Sequence, residues 1–375
     1  MSVRGAGVPV AKKLSYHKSV NYSQADPVKI LAQKQGLATA DNMPFGYREV
    51  AGTRGESAYV FKMGGSWGAF VQEGLGTKSL VAQSVYQTTG DSSYFRSIAQ
   101  DTVACIINDL VSVGATPVVL NAYWSSSSYQ WLTDNKLATD FIEGWHSACD
   151  QAKVVWGGGE TQSLPGIIME GSIEFAGSAF GVINSESNLI QGKNLSDGDA
   201  IVLIESSGVH ANGISLIRDL AMSLPEGYQT RLNDGKMLGE TVLTATHIYA
   251  ELVLALQEAD IDIHYLSNIT GHGWRKLMRA ESDFSYEISI VPPIPEIFKF
   301  IADRTGNNAT EMYGNYNMGV GYAVYVPNDQ AQSVIDIASK LNLKAWVAGQ
   351  VKKGPKQVII DPIKITFTGN SLEMR

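Results

Sequence analysis

Residues 311–322 place polar side chains and glycines immediately before a strand-like run. The segment reads Glu-Met-Tyr-Gly-Asn-Tyr-Asn-Met-Gly-Val-Gly-Tyr and continues into the apolar residues 323–326. Burying a carboxylate and two amides is costly unless each of them has a partner. Gly319 and Gly321 would let backbone amides approach a neighbour closely. Taken alone, the pattern fits a structural bulge at the start of a strand as well as it fits a binding segment.

A second candidate is the run Glu73-Gly74-Leu75-Gly76-Thr77-Lys78, which follows a strand-like segment. Glycine-rich backbone amides, the Thr77 hydroxyl and the Lys78 ammonium could cradle a phosphate group. The spacing is neither that of a Walker A loop nor Gly-x-Gly-x-x-Gly. A plain tight turn remains the alternative.

Asp101 and Asn108 lie in a segment, residues 97–114, whose apolar residues have helical spacing. They are seven residues apart, about two helical turns, so both face the same side. Asp101 suits either stabilisation of the helix N-terminus or coordination of Mg²⁺.

The run Gly157-Gly158-Gly159-Glu160-Thr161 follows the strand predicted for residues 154–156. Glycines beside a carboxylate and a hydroxyl at the end of a strand are typical of a metal–nucleotide site in an α/β sheet. A flexible turn is the alternative.

Ser206-Ser207-Gly208 connects a predicted strand to a predicted helix, and His210 and Asn212 follow. Hydroxyls and backbone amides at a helix N-terminus favour anion binding. His210 could donate to a phosphate or shuttle a proton. Simple capping of the helix is the alternative.

Composition narrows the function classes. The chain has 375 residues, of which 44% are hydrophobic and 18% charged, and its net charge is −8. The length indicates two domains, and the acidic balance argues against nucleic-acid binding, which needs a concentrated basic face. Residues 1–10 lack the apolar core of a signal peptide, and no stretch is long enough to span a membrane. Cys105 and Cys149 are expected to be small buried residues. We expect a soluble cytoplasmic protein.

The elements that must position these residues form two mixed α/β or α+β domains. We predict an arm over residues 1–50, an N-terminal domain over 51–190 and a C-terminal domain over 191–375. Predicted helices span residues 27–35, 97–114, 138–152, 213–223, 241–259 and 329–341. Predicted strands span residues 59–63, 69–72, 118–124, 154–156, 201–204, 319–326 and 346–351, with a strand pair within 167–183.

In this order, the motifs resemble the aminoimidazole ribonucleotide synthetase (phosphoribosylformylglycinamidine cyclo-ligase) family over nearly the whole chain. The matching residues are Ser15-Tyr16, Gly76-Thr77-Lys78, Asp101, Asn108-Asp109-Leu110, Gly114-Ala115, Gly158-Gly159-Glu160-Thr161, Pro165-Gly166, Gly198-Asp199, Ser206-Ser207-Gly208, His210, Asn212-Gly213, Ile269-Thr270-Gly271, Glu311-Met312-Tyr313, Asn317-Met318-Gly319-Val320-Gly321, Trp346 and Gly349. Residues 311–322 are the part most particular to this family among its relatives.

The resemblance implies an ATP-dependent enzyme of purine biosynthesis that closes the imidazole ring of formylglycinamidine ribonucleotide. It implies two α/β domains, the first of which contributes strands to a barrel in a homodimer, and it implies Mg²⁺. The implied metal ligands are Glu73, Asp101 and Glu160. The implied nucleotide-binding residues are Gly76, Thr77, Lys78, Asn108, Gly159 and Thr161. Ser206, Ser207 and Gly208 are implied to bind phosphate, and the implied catalytic residues are His210, Asn212 and Asp101.

Several residues depart from the family pattern. Glu73 stands where Asp is usual, and His272 replaces the middle of three glycines. Other departures are His247 for Arg, Asn121 for Asp, Gln162 for Ala, and an altered arm around residues 17–21. A catalytically inactive homologue that binds nucleotides is the alternative from another functional class.

Enzymes that share the fold are the remaining alternatives. Selenophosphate synthetases carry a reactive Cys or selenocysteine in the arm, and hydrogenase-maturation proteins carry a C-terminal Cys. This chain has neither. A thiamine-phosphate kinase would lack the motif at residues 311–322, and the large amidotransferase relative needs a longer chain.

Overall fold

The computed structural model describes residues 22–372. The motif at Ser15-Tyr16 and the altered arm at residues 17–21 lie outside the described residues. The helix predicted at residues 27–35 is found as α1 (Tyr22–Leu37), with Pro27 inside it. Within the described residues, none of the helices combines the length and apolar character that a membrane crossing requires.

A six-stranded sheet forms the first half of the molecule, in the order β1-β2-β3-β6-β4-β5. Its strands are β1 (Arg48–Glu49), β2 (Tyr59–Met63), β3 (Ser66–Gly74), β4 (Thr116–Ser126), β5 (Val155–Ser163) and β6 (Ile173–Ile183). Only β4 and β5 pair in parallel. The strand pair predicted within residues 167–183 is wrong, because β6 alternates buried and half-buried positions over eleven continuous residues.

Helices cover one face of this sheet. They are α2 (Lys78–Thr89), α3 (Tyr94–Val111), α4 (Gln130–Thr133) and α5 (Asn135–Gln151). The helix α3 packs on β3 and β6, and most of its residues are buried. Alternate residues such as Val71 are buried, whereas Phe70 and Tyr123 are at least 40% exposed. The second face of the sheet is therefore open in the single chain.

The strand predicted to end at Trp156 continues through the glycines to Ser163. The run that was expected to form a strand-end loop is therefore part of β5, which is one of the two edge strands of this sheet and pairs only with β4 among the described residues. Gly159 is required there, because a Cβ on it would lie 2.2 Å from the carbonyl oxygen of Ala122.

A seven-stranded sheet organises the second half, in the order β13-β12-β9-β11-β7-β10-β8. Its strands are β7 (Ala200–Glu205), β8 (Tyr265–Asn268), β9 (Phe284–Ile288), β10 (Val320–Val326), β11 (Ala345–Lys353), β12 (Gln357–Ile360) and β13 (Ile365–Thr368). The accompanying helices are α6 (Ile214–Ser223), α7 (Leu238–Val242), α8 (Ala250–Glu258), α9 (Glu296–Thr305), α10 (Ala309–Asn315) and α11 (Ala331–Lys340). The chain therefore forms a mixed α/β structure with one sheet in each half. The boundary near residue 190 stays a prediction.

The long helix predicted over residues 241–259 is wrong. Residues 243–249 separate α7 from α8 and are not helical. The amides of Thr246 and Tyr249 donate to the side chains of Asp101 and Asn108 on α3 instead of to helical carbonyls. Side chains of the first half thus replace the hydrogen bonds of a continuous helix.

Candidate active site

A cavity of about 340 Å³ lies between the two halves of the chain. The charged and titratable side chains that line it include Glu73, Asp109, His210, His272, Lys276 and Arg279. Cys105 also lines the cavity and is half-buried, whereas Cys149 is buried as expected. The cavity brings carboxylates from the first half opposite cations from the second.

Glu73 lies at the end of β3, at the solvent-facing mouth of the cavity. Desolvation by the surrounding protein is the main cause that raises the pKa of Glu73 to about 7, and the negative charge of Asp109 adds to it. The positive charges of Lys276 and Arg279 oppose this rise. Asp109 accepts a hydrogen bond from Asn268 Nδ2 at 2.8 Å. Two carboxylates that line one cavity are a suitable donor set for a divalent cation, because the cation would neutralise the charge of both.

The turn Gly273–Met278 and the residue after it present Lys276 and Arg279 to the cavity. Burial, and then the charge of Arg279, lower the pKa of Lys276 to about 7. Arg279 is fixed by hydrogen bonds to Ser57 Oγ at 2.6 Å and to the carbonyl of Gly55 at 3.0 Å. This edge of the cavity therefore holds two adjacent cations.

Lys78 and Asp101 form a fully buried ion pair, with 2.7 Å between Nζ and Oδ2. Lys78 also donates to the carbonyl of Thr244, and Asp101 accepts from the amide and hydroxyl of Thr246. Burial raises the pKa of Asp101, and Lys78 and Thr246 oppose this rise. The pair lies behind the cavity wall, which Thr246 lines.

Gly76 and Thr77 precede α2, and both are half-buried. The amide of Gly76 donates to Oε1 of Glu174 at 3.3 Å, and Gly76 has a φ of +72°. The neighbouring Leu75 lines the cavity. The predicted phosphate loop thus starts at the cavity and leads away from it.

Asn108 lines the cavity, and its side-chain amide spans the two halves of the chain. Nδ2 donates to the carbonyl of His247, and Oδ1 accepts from the amide of Tyr249, both at 2.8 Å. Both polar groups of Asn108 therefore hold the segment that replaces the predicted long helix.

Asn317 holds the loop that contains Ser206 and Gly208. Its Oδ1 accepts from Ser206 Oγ at 3.1 Å, and its Nδ2 donates to the carbonyl of Gly208 at 2.9 Å. The hydroxyl of Ser207 donates to the carbonyl of Ala245 at 2.6 Å. Both serine hydroxyls therefore donate hydrogen bonds within the protein. The side chain of Asn317 has a structural role, because it holds this loop through two hydrogen bonds.

His210 is buried, and its φ of +57° places it in the left-handed region. Burial, and then His247 and Lys78, lower the pKa of His210 well below its usual range. Its Nε2 accepts from the amide of Ser207 at 3.3 Å. His210 is therefore neutral at pH 7. Asn212 lies two residues on, and both side chains line the cavity.

Gly321 makes room for this arrangement. A Cβ on Gly321 would lie 2.0 Å from Oη of Tyr249 and 2.5 Å from Cε1 of His210. The Tyr249 hydroxyl donates to the carbonyl of Glu205 at 2.7 Å. Residues 311–322 thus have a structural role next to the site. Glu311 itself completes a capping box with Asn308 at the start of α10.

The structure does not bring Gly159, Glu160 and Thr161 to this cavity within one chain. They are exposed on β5, and Gly159 is in register with Ala122, Gly177 and Glu73 across the sheet. Three strand spacings, about 14 Å, therefore separate Gly159 from Glu73. Among the described residues, no three His, Cys, Asp or Glu side chains cluster as a metal site.

Sequence reasoning noted Asp109 only as the neighbour of Asn108, and it missed Lys276 and Arg279. The signal available was the spacing of three residues between Lys276 and Arg279 after a glycine turn. That spacing becomes informative only once the turn Gly273–Met278 is known to pack against the first half of the chain.

Two family models match the chain. The model described as AIR synthase related protein, N-terminal domain, matches residues 55–183. The model described as AIR synthase related protein, C-terminal domain, matches residues 196–362. Together they cover most of the sequence.

The chain is similar to several proteins named phosphoribosylformylglycinamidine cyclo-ligase. It is 32% identical to that of Methanococcus vannielii over 304 residues, which are 80% of this chain and 82% of the relative. It is 34% identical to that of Carboxydothermus hydrogenoformans, with 77% and 82% covered. It is 32% identical to that of Methanothermobacter thermautotrophicus, with 88% and 91% covered.

Solved structures show the same fold at low identity. A chain of the HypE–HypF complex matches with a TM-score of 0.58 and 19% identity, covering 84% of this chain and 92% of that one. Thiamine-monophosphate kinase from Stenotrophomonas maltophilia matches with a TM-score of 0.57 and 16% identity, covering 88% and 96%. Phosphoribosylformylglycinamidine synthase II from Thermotoga maritima matches with a TM-score of 0.56 and 17% identity, covering 85% and 46%.

Proposed function

The chain belongs to the AIR synthase related protein family, and from this we propose that it is an ATP-dependent phosphoribosylformylglycinamidine cyclo-ligase. The amide oxygen of formylglycinamidine ribonucleotide accepts the γ-phosphoryl group of ATP. An amidine nitrogen of the same molecule then attacks the activated carbon, and phosphate leaves. The products are aminoimidazole ribonucleotide, ADP and phosphate, and the reaction belongs to purine biosynthesis.

The observation that carries the proposal is the similarity to named cyclo-ligases at 32–34% identity over most of both chains. The cavity agrees with it, because carboxylates and cations from the two halves of the chain face one another there. Phosphoryl transfer depends on such positioning and charge neutralisation. The observations give no support to the alternative of an inactive nucleotide-binding homologue.

We assign the Mg²⁺ site to Glu73 and Asp109, with Asp101 and Glu160 kept as predicted ligands. The carboxylates of Glu73 and Asp109 line the same cavity, and oxygen ligands of this kind fit a divalent cation. Bound there, Mg²⁺ would offset the negative charge of the transferring phosphoryl group. Asp101 is paired with Lys78, so its contribution would need that buried pair to open.

His210 and Asn212 remain the proposed catalytic residues on the opposite wall. Because His210 is neutral and its Nε2 accepts from the amide of Ser207, its Nδ1 carries the ring proton. His210 is therefore suited to donate a hydrogen bond to a phosphate oxygen. Asn212 orients the ribonucleotide through its amide group.

We also propose that the active enzyme is a homodimer that pairs through the first sheet. The edge strand β5 has only one partner strand among the described residues, and Val155 on it is 65% exposed. An unprotected edge beside an open apolar sheet face readily pairs with another chain. A partner chain would also bring a second copy of Glu160 to the assembly. The cytoplasmic location expected from the sequence remains a prediction.

A product assay tests the proposed reaction. Purified protein is incubated with formylglycinamidine ribonucleotide and Mg-ATP, and ADP and aminoimidazole ribonucleotide are quantified by liquid chromatography. We expect both products in equal amounts, and we expect neither when the ribonucleotide is omitted. ATP binding without ring closure would favour the inactive homologue. A Glu73→Gln protein is assayed in parallel. This substitution removes one carboxylate of the proposed metal site and changes the side-chain volume little.

A further inference from the structure

Lys276 lines the cavity, and its ammonium group has no partner in the part of the chain that the structure describes. Within residues 22–372, its Nζ forms no hydrogen bond and no ion pair, and only its carbonyl is engaged, by Ser267 Oγ at 2.8 Å. A partly buried ammonium group without a counterion is costly to maintain. The unpaired ammonium group therefore points to a ligand that binds to it.

The residues around Lys276 add further positive charge next to its ammonium group. Arg279, the other cation at this edge, is held in place by Ser57 and Gly55, and its Nε lies 3.8 Å from Oε2 of Glu56. The guanidinium group therefore has partners, whereas the neighbouring ammonium group has none among the described residues. Burial together with Arg279 disfavours the charged form of Lys276.

The two carboxylates of the cavity do not satisfy Lys276. The negative charges of Asp109 and Glu73 attract its ammonium group, but within residues 22–372 neither carboxylate forms an ion pair with Nζ. Asp109 is instead engaged by Asn268. If a divalent cation neutralises Glu73 and Asp109, the remaining charge at this end of the cavity is positive.

We propose that Lys276 binds a phosphate group in the cavity, with Arg279 as the fixed cation behind it. This inference rests on the proposed function, because the reaction brings two phosphorylated molecules to the cavity. The ligand chemistry is a phosphate dianion: either the phosphate of the ribonucleotide or the terminal phosphoryl group of ATP. A Lys ammonium suits both, because it is a compact point charge with three donors.

Direct binding measurements test this inference without requiring turnover. Isothermal titration calorimetry is performed with ribose 5-phosphate and with Mg-ATP on the wild type, Lys276→Met, Lys276→Arg and Lys299→Met. Lys299 is an exposed lysine on α9 and serves as the matched control. We expect Lys276→Met to weaken binding of at least one probe by tenfold or more. Lys276→Arg should restore part of the affinity, and Lys299→Met should bind as the wild type does.

The two probes distinguish the sources of the phosphate. Loss of ribose 5-phosphate binding assigns Lys276 to the ribonucleotide, and loss of Mg-ATP binding assigns it to the transferred group. Unchanged affinity of Lys276→Met for both probes would overturn the inference. It would also be overturned if Lys276→Arg bound as weakly as Lys276→Met and both variants unfolded at lower temperature, since that pattern indicates a structural role. A protein that binds both probes normally but closes no ring would contradict the proposed function alone.

Discussion

Nζ of Lys78 lies 2.7 Å from Oδ2 of Asp101, and both side chains are fully buried. The family resemblance implied that Lys78 binds the nucleotide and that Asp101 serves the metal and catalysis, yet in the structure each is the other's partner. Both also bind the segment 243–249 of the second half. The pair therefore joins the two halves of the chain directly behind the cavity.

Removing one member of this pair should destabilise the protein strongly. Asp101→Ala leaves the ammonium group of Lys78 buried without its counterion, which costs about 3–5 kcal/mol. We expect this loss in the free energy of unfolding measured by urea denaturation. The double variant Lys78→Met, Asp101→Asn should recover part of it, because no charge is left buried and the Asn oxygen can still accept from Thr246.

An exposed ion pair provides the control. Lys344 Nζ lies 3.5 Å from Oε2 of Glu205, and the Lys344 side chain is 77% exposed. Lys344→Met should cost no more than about 1 kcal/mol. If Asp101→Ala were as stable as Lys344→Met, the Lys78–Asp101 pair would not be a structural link. If Asp101→Ala also kept full turnover, Asp101 would have no role in metal binding or catalysis.

Gly321→Ala should disturb the site through Tyr249 and His210. Its methyl group would lie 2.0 Å from Tyr249 Oη and 2.5 Å from His210 Cε1, so one of the rings must move. We expect a loss of about 1–3 kcal/mol in the free energy of unfolding, as for other overpacked cores, together with reduced turnover. Adding Tyr249→Phe removes the closest atom and should recover part of both losses.

Gly65→Ala is the matched control, because a Cβ at Gly65 meets no atom within 4 Å. Its stability and turnover should equal those of the wild type. Equal behaviour of Gly321→Ala and Gly65→Ala would show that Gly321 is not selected for this close approach.

The sequence predicted most helices and strands correctly, but it did not predict contacts between residues that are distant in the chain. Strands such as β2 were found at the predicted bounds because their apolar pattern is local. The split between α7 and α8 could not be predicted, since the amides of Thr246 and Tyr249 are satisfied by side chains more than 140 residues earlier in the chain. The continuation of β5 through its glycines likewise depends on pairing with β4.

The binding of Mg²⁺ should depend on pH through Glu73. Its folded-state pKa is about 7, against about 4.3 in an unfolded chain. Protonation of Glu73 therefore stabilises the folded protein, and this contribution is lost as pH rises from about 4.3 through 7. Metal binding needs the ionised carboxylate, so calorimetry should show about tenfold higher Mg²⁺ affinity at pH 8 than at pH 6.

In Glu73→Gln this dependence should shrink to the part due to Lys276, which loses its proton over the same range. The same Mg²⁺ affinity at pH 6 and pH 8 in the wild type would exclude Glu73 as a ligand with a raised pKa. Unchanged pH dependence in Glu73→Gln would assign the effect to another group.

Charge on the edge strand should separate the proposed dimer. Val155→Lys places an ammonium group on β5, which disfavours pairing with a second edge. Sedimentation velocity should give a dimer for the wild type and a monomer for Val155→Lys. Met222→Lys, on the exposed side of α6, should remain dimeric, since Met222 is 74% exposed and lies on another element. A monomeric wild type, or a dimeric Val155→Lys protein, would contradict the proposed interface.

The candidate site was also predictable only in part, because it depends on contacts between residues that are distant in the chain. Glu73, Asn108, His210 and Asn212 carry recognisable motifs, and the fold brings them to one cavity. Glu160 has an equally recognisable motif but lies on an exposed edge. Lys276 has no motif, and its importance follows from the charges that the first half of the chain places opposite it.

Isotope transfer tests the central claim most directly. Formylglycinamidine ribonucleotide labelled with ¹⁸O at the amide oxygen is converted with Mg-ATP, and the released phosphate is examined by mass spectrometry. Since the amide oxygen accepts the phosphoryl group and leaves with it, one ¹⁸O should appear in each phosphate, with one ADP and one aminoimidazole ribonucleotide formed. Unlabelled phosphate, or ADP formed without ring closure, would contradict the assignment of this protein as a cyclo-ligase.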